Sequence, residues 1–143
     1  MRLRTLHRRL ALAAEVLAVY GRARLLLKRH GLPVALARLR SSGQGAQAPA
    51  DAATLRRAIE LSRATQRTLA IAPWDSRCLM QSLVLTGLLA RRGVHTELLI
   101  GVRPGEGMPG PREDPFAAHA WIEYLGRPLL PSYQDAFQTL ARL

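Results

Sequence analysis

Cys78 and His119 are the side chains of this 143-residue chain whose type and setting best suit nucleophilic chemistry. Cys78 is the single cysteine. It follows Trp74-Asp75-Ser76-Arg77 and opens an apolar run from Leu79 to Leu89. Asp75 or Ser76 is a natural N-cap, which predicts a helix over about 77–92 with Cys78 in its first turn. Unpaired backbone N–H groups and the positive end of the helix dipole lie there, and both favour thiolate over thiol. Arg77 adds positive charge and Asp75 opposes it. A small buried hydrophobe is the competing role for a lone cysteine.

His119 lies in Ala117-Ala118-His119-Ala120-Trp121-Ile122-Glu123. Strand alternation places His119, Trp121 and Glu123 on one face, with Ala118, Ala120 and Ile122 on the other. Small neighbours leave the ring room. A strand histidine facing a helix that opens on cysteine is the geometry a thiolate–imidazolium pair needs. A hydrogen-bonded core histidine is the alternative. His7 and His30 sit in Arg-rich helical segments, and His95 at a strand entrance. One cysteine and scattered histidines give no pair at metal-ligand spacing, and no metal or other cofactor is expected. Gly105-Glu106-Gly107-Met108-Pro109-Gly110 falls between strands and is broken by proline, so it is a loop rather than a phosphate cradle.

The elements that must position these residues follow from periodicity and punctuation. Residues 3–29 repeat Leu3, Leu6, Leu10, Ala13, Leu17, Tyr20 and Leu27 at helical spacing. Gly31 ends that helix, and Pro33 opens a short second one over about 33–40. A small, polar loop covers about 41–50. Asp51 or Thr54 caps the next helix, which carries Leu55, Ala58, Ile59, Ser62, Thr65 and Leu69 along one face. The Cys78 helix is nearly apolar all round, so it belongs in the centre of the domain. Arg91-Arg92-Gly93 closes it. Thr96 to Val102 and Ala117 to Tyr124 are predicted strands, with a Gly- and Pro-rich loop between them. Leu125-Gly126 is a turn, Arg127 to Leu130 starts a third strand, and Ala136 to Leu140 is a terminal helical turn. Helices followed by an antiparallel sheet make an α+β architecture: a single domain over 1–143, with a helical part over 1–72 and a core over 73–143.

The formal charge of +11 suits an acidic partner, nucleic acid or a membrane surface, but the arginines are scattered and serve equally to solvate helix faces. With one cysteine no intrachain disulfide forms, and nothing calls for an oxidising compartment. Arg2, Arg4, Arg8 and Arg9 before an apolar stretch from Leu10 to Tyr20 imitate a signal peptide. Glu15 interrupts the stretch, basic residues follow at once, and roughly a dozen residues are too few to span a bilayer. A structural helix in a cytoplasmic protein without a transmembrane segment is the expectation.

Cys78-Leu79-Met80-Gln81-Ser82-Leu83, Leu88-Leu89-Ala90-Arg91-Arg92-Gly93-Val94, Leu99-Ile100-Gly101-Val102, Ala118-His119-Ala120-Trp121-Ile122-Glu123 and Gly126 occur in that order. Together they resemble the transglutaminase-like, papain-related leader peptidase of lasso peptide biosynthesis, most strongly over residues 73–130. The resemblance implies a Cys–His–acid triad with Cys78 as nucleophile and His119 as base. In the family the acid follows the glycine turn on the next strand. Here Glu123 precedes the turn, and Asp135 is the one carboxylate beyond it. A regular two-residue hairpin sets Ser132 beside His119, so Asp135 reaches the ring only through a bulge or an irregular strand.

The implied substrate is a ribosomally made precursor peptide. Nothing in residues 1–72 alternates like a strand, so the chain corresponds to the stand-alone protease form. Leader recognition then comes from a separate leader-binding protein, and the product passes to an ATP-dependent macrolactam synthetase. An acyltransferase or transglutaminase on the same triad is one rival. A basic, non-enzymatic nucleic-acid or membrane binder is the other.

Overall fold

A helix with no polar face must be surrounded by other elements. In the computed structural model, which describes residues 2–43, 45–71, 78–104, 116–130 and 137–143, that helix is α3 (Cys78–Ala90). Every residue from Ser82 to Ala90 is buried. Around it lie α1 (Arg2–Arg40), α2 (Ala52–Ala70) and the strands β1 (Glu97–Pro104), β2 (Phe116–Tyr124), β3 (Arg127–Pro128) and β4 (Gln138–Arg142). The architecture is α+β, with the helices first in the chain as expected.

α1 crosses α3 closely. A Cβ on Gly87 would lie 2.9 Å from Val19 Cγ1 and 3.2 Å from Leu39 Cδ2, so glycine sets the approach. The buried face of α1 is Val16, Val19, Tyr20, Ala23 and Leu26, continued by Ala35, Leu36 and Leu39. This corrects the stripe singled out from the sequence: Leu6 and Leu10 are 54% and 60% exposed, and Leu17 is exposed as well. Two apolar stripes with helical spacing run along this helix, and periodicity alone does not say which meets the core. The stripe that does carries Val19 and Ala23, small enough for the crossing. At Gly31 the backbone leaves helical geometry (φ 76°, ψ 176°), so the chain kinks there between the two expected helical segments.

The ends of the helices follow their capping chemistry. Asp51 caps α2, accepting the Thr54 N–H at 2.7 Å. Gly93 takes φ 71° just past α3, with Gly93 N–H donating to Ala90 O and Val94 N–H to Leu89 O, the paired bonds of a Schellman motif. Arg92 beyond α3 makes two bonds to the Glu15 carboxylate, at 3.0 and 2.7 Å, tying this end to α1. The Arg92 hydrogen bond holds the Glu15 carboxyl below its usual range.

The sheet is antiparallel in the order β3-β2-β1-β4. Leu98 pairs with Ile122 and Ile100 with Ala120, and these four turn toward the helices. The β2–β3 hairpin closes through Leu125 and Gly126, at φ 53° and 70°, both positive as a type I′ turn requires. The segment read as a terminal helical turn is instead strand β4, with Ala136 itself outside the described residues. A five-residue apolar-polar segment carries too little periodicity to decide, whereas the free edge of β1 offers a ladder. Leu98 and Leu143 exchange both backbone bonds, at 2.9 and 2.8 Å, and the β1–β4 register breaks between Ile100 and Gly101, leaving Leu140 as an extra residue. Arg40 fastens the end of α1 to the sheet, donating to Thr96 O at 2.8 Å and Leu143 O at 2.7 Å. No helix among the described residues is long and apolar enough to cross a membrane.

The two stripes of α1 give a direct test. Leu36, 4% exposed, should cost about 2–4 kcal/mol on truncation to Ala, and Leu10→Ala within about 0.5 kcal/mol. Urea denaturation of the two variants measures both; equal losses would overturn this assignment of the buried face.

Candidate functional site

Cys78 opens α3, half-buried and packed against the core cluster. Its sulfur accepts the Ala120 N–H of β2 at 3.4 Å. One helical turn on, the Ser82 hydroxyl donates to Ala120 O at 3.2 Å. Both main-chain groups of Ala120 therefore bond to α3 rather than to a strand. β3 pairs with only Glu123 and Tyr124, and Leu129 N–H adds one bond to Ile122 O. Beyond that point, among the described residues, the start of α3 is what bonds this edge of β2. The candidate caps Asp75 and Ser76, with Arg77, lie outside the described residues.

His119 adjoins Ala120 on β2. Since Ala120, Ile122 and Tyr124 face the helices, alternation sends His119, Trp121 and Glu123 to the other face. The grouping of these three is the one read from the sequence. The expectation that the histidine faces the helix is corrected: its ring leaves β2 on the far side, and Cys78 meets the strand at its backbone edge. On that far side the imidazole stacks on Trp121 (centroids 5.7 Å apart, planes at 19°) and tilts against Phe137 at 5.2 Å. Arg103 lies over Phe137, its guanidinium carbon 5.2 Å from the ring centroid. Gly101 is the cross-strand partner of His119, and a Cβ there would stand 3.0 Å from both Phe137 Cβ and the Trp121 ring. Glycine makes the space this ring cluster occupies.

Glu123 is engaged elsewhere. It accepts the Trp121 Nε1–H at 3.0 Å, and Arg142 lies 3.6 Å from its second oxygen. His119 Nε2 is buried and has no hydrogen-bond partner among the described residues. Burial pushes the imidazole below its ordinary value of 6.5, so it is neutral near pH 7 and able to accept a proton. Asp135 lies outside the described residues. Phe137, two residues later in the chain, is in contact with the His119 ring. No group of three or more His, Cys, Asp or Glu side chains suited to a metal ion occurs among the described residues.

The structure thus brings the Cys78 sulfur to the Ala120 N–H, the residue next to His119 in β2, and adds partners the sequence did not single out. Ser82 carried a signal in its spacing, four residues after Cys78. Gly101 carried another, since a glycine inside an apolar strand marks close backbone approach. Phe137 had none, because its segment was assigned to the wrong element. A cavity of about 480 Å³ lined by Leu12, Ala58, Leu61, Leu89 and Val94 lies at the opposite end of α3 and takes no part in this arrangement.

Burial of His119 has a pH consequence. A depressed histidine is protonated in the unfolded chain before the folded one, so its effect is absent above about 6.5 and stability is lost as pH falls below it. The drop in Tm between about pH 7.5 and 5.5 should be smaller in His119→Gln than in the wild type. An equal drop in both would show that this ring is not what charges.

A helix presenting cysteine to the edge of a strand, with histidine at the next position, is the local pattern. No curated protein sequence and no solved structure gives a significant match to the chain. A family model described as the transglutaminase-like superfamily matches residues 17–142, which takes in α3, the whole sheet and most of α1. The chain therefore belongs to the transglutaminase-like superfamily.

Proposed function

We propose that this chain is a cysteine peptidase that removes the leader from a lasso precursor peptide, freeing the core amine for macrolactam formation. The observation that carries it is the Cys78 sulfur resting on the Ala120 N–H, one residue from His119, inside a transglutaminase-like domain. The order of short motifs from Cys78 to Gly126 supports the leader-peptidase assignment within that superfamily.

In the proposed reaction His119 takes the Cys78 thiol proton. The thiolate attacks the carbonyl carbon at the leader–core junction, and the resulting oxyanion lies near the N-terminus of α3, where backbone N–H groups point. His119 then gives its proton to the departing core amine. Water attacks the remaining thioester, returns a proton to Cys78 and releases the leader acid. The unpartnered His119 Nε2 is the atom a third group would hold. Asp135 is proposed for it, as the one carboxylate of the sequence beyond the Gly126 turn. A carboxylate on Nε2 leaves Nδ1 to exchange the proton with Cys78.

The test is mass-spectrometric detection of free leader and core from a synthetic precursor, with the leader-binding protein present. Cys78→Ala should fall to background, His119→Ala should lose at least about a hundredfold in kcat, and Asp135→Asn about tenfold. Wild-type cleavage by Cys78→Ala would sink the proposal. The chain alone should process slowly, and adding the leader-binding protein should raise the rate by concentrating substrate at the site. A rate independent of that protein would remove the partner from the scheme.

A further inference from the structure

We propose that Ser82 is a positioning residue for the reaction at Cys78: its hydroxyl holds the Ala120 carbonyl, which keeps the Ala120 N–H aimed at the sulfur. The inference rests on Cys78 being the nucleophile.

Ser82 is 0% exposed, and a hydroxyl so buried needs a partner. The cheap solution in a helix is the carbonyl four residues back. Thr65, Thr68 and Thr86 take it, bonding Leu61 O, Ala64 O and Ser82 O at 2.8–2.9 Å. Ser82 instead reaches across to β2. The choice has a geometric result. Cys78 and Ser82 lie one turn apart on one side of α3, about 6 Å along its axis. They hold the two main-chain groups of a single residue, so neither bond can shift without moving the other. Removing the hydroxyl takes from the Ala120 carbonyl its bond to α3 and frees α3 to slide or roll against β2. The N–H that faces the sulfur is a fixed dipole at the reacting atom, and its value depends on aim.

Ser62 supplies the control. It is equally buried and likewise links a helix to a sheet-side carbonyl, that of Leu129. Its partner Leu129 meets β2 at Ile122, and among the described residues no bond runs from Ser62 to Ala120 or Cys78. Ser82→Ala and Ser62→Ala should therefore lose similar stability in urea denaturation. Only Ser82→Ala should lose catalysis, about tenfold in kcat with KM within about twofold, and only it should slow alkylation of Cys78 by iodoacetamide at fixed pH. Because Ser82→Ala could fail to fold, Ser82→Thr and Ser82→Val form a second pair of equal volume that differs in the hydroxyl. The Thr form should exceed the Val form about tenfold in kcat. Equal kcat within that pair, or equal loss in Ser82→Ala and Ser62→Ala, overturns the positioning role. An active Cys78→Ala would instead overturn the assignment of the nucleophile, so the two failures are distinguishable.

Discussion

The bonding of both main-chain groups of Ala120 to α3 is the constraint on which the candidate site depends. Backbone groups withdrawn from water need partners, and a strand normally finds them in its neighbour. Here, among the described residues, β3 covers two residues, and at Ala120 β2 bonds to a helix instead. A side chain can bond that edge only if it is polar, and α3 is otherwise among the most apolar elements of the chain. Its exceptions at this face are Cys78 and Ser82, spaced by one turn. The need to satisfy Ala120 thus fixes where the sulfur sits, independently of any substrate. Beyond Ser82 the one polar side chain of α3 is Thr86, which bonds back to Ser82 O, so rotation of the helix would expose leucines without gaining a polar face.

Much of this arrangement is legible in the sequence, and the parts that are not share a cause. The order of elements, the central helix, the Leu125-Gly126 turn, the Asp51 cap and the Gly93 stop each rest on local chemistry: a side-chain oxygen beside a helix start, or a residue tolerant of positive φ. Cys78 and His119 stand out for the same reason, as reactive types in short contexts. What fails is information carried between elements. Leu6, Leu10 and Leu17 have spacing as good as Val16, Val19 and Ala23; the crossing at Gly87 chooses between them. Gln138 to Arg142 becomes a strand because β1 has a vacant edge. The face on which His119 emerges relative to α3 depends on which side of the sheet the helix packs, and nothing near His119 states that.

The large positive charge divides in a similar way. Arg40, Arg92 and Arg142 do structural work, at the α1–sheet junction, at Glu15 and at Glu97 and Glu123. These arginines stand where an element ends, and there the guanidinium collects carbonyls or carboxylates left over by helix and strand termini. The planar, many-donor group suits that task better than an ammonium would, which accounts for part of the preference for Arg over Lys. Charge count therefore says little about a polyanionic partner in this chain, because some of the count stabilises the fold.

The two halves of the candidate site reach β2 from different directions, and this sets how exactly the strand must be placed. Cys78 comes to the backbone edge from the helical layer, while the imidazole of His119 occupies the outer face among Trp121 and Phe137. A slip of β2 by one residue would exchange its faces, sending His119 into the helical core and replacing the Ala120 groups that Cys78 and Ser82 hold. Three features resist that slip. Gly101 opposite His119 leaves room for Phe137 and Trp121 in one register. The Leu125-Gly126 turn fixes the end of the strand, and Ile122 and Ala120 bury on the helical side. Each acts at a different point along nine residues, so the register is over-determined where the chemistry needs it. The same ring packing that locates the imidazole also dehydrates it, and that keeps it neutral. In the proposed reaction such a ring is ready for a proton, and a partner on Nε2, the buried atom left without one among the described residues, would stabilise the charge once the proton arrives.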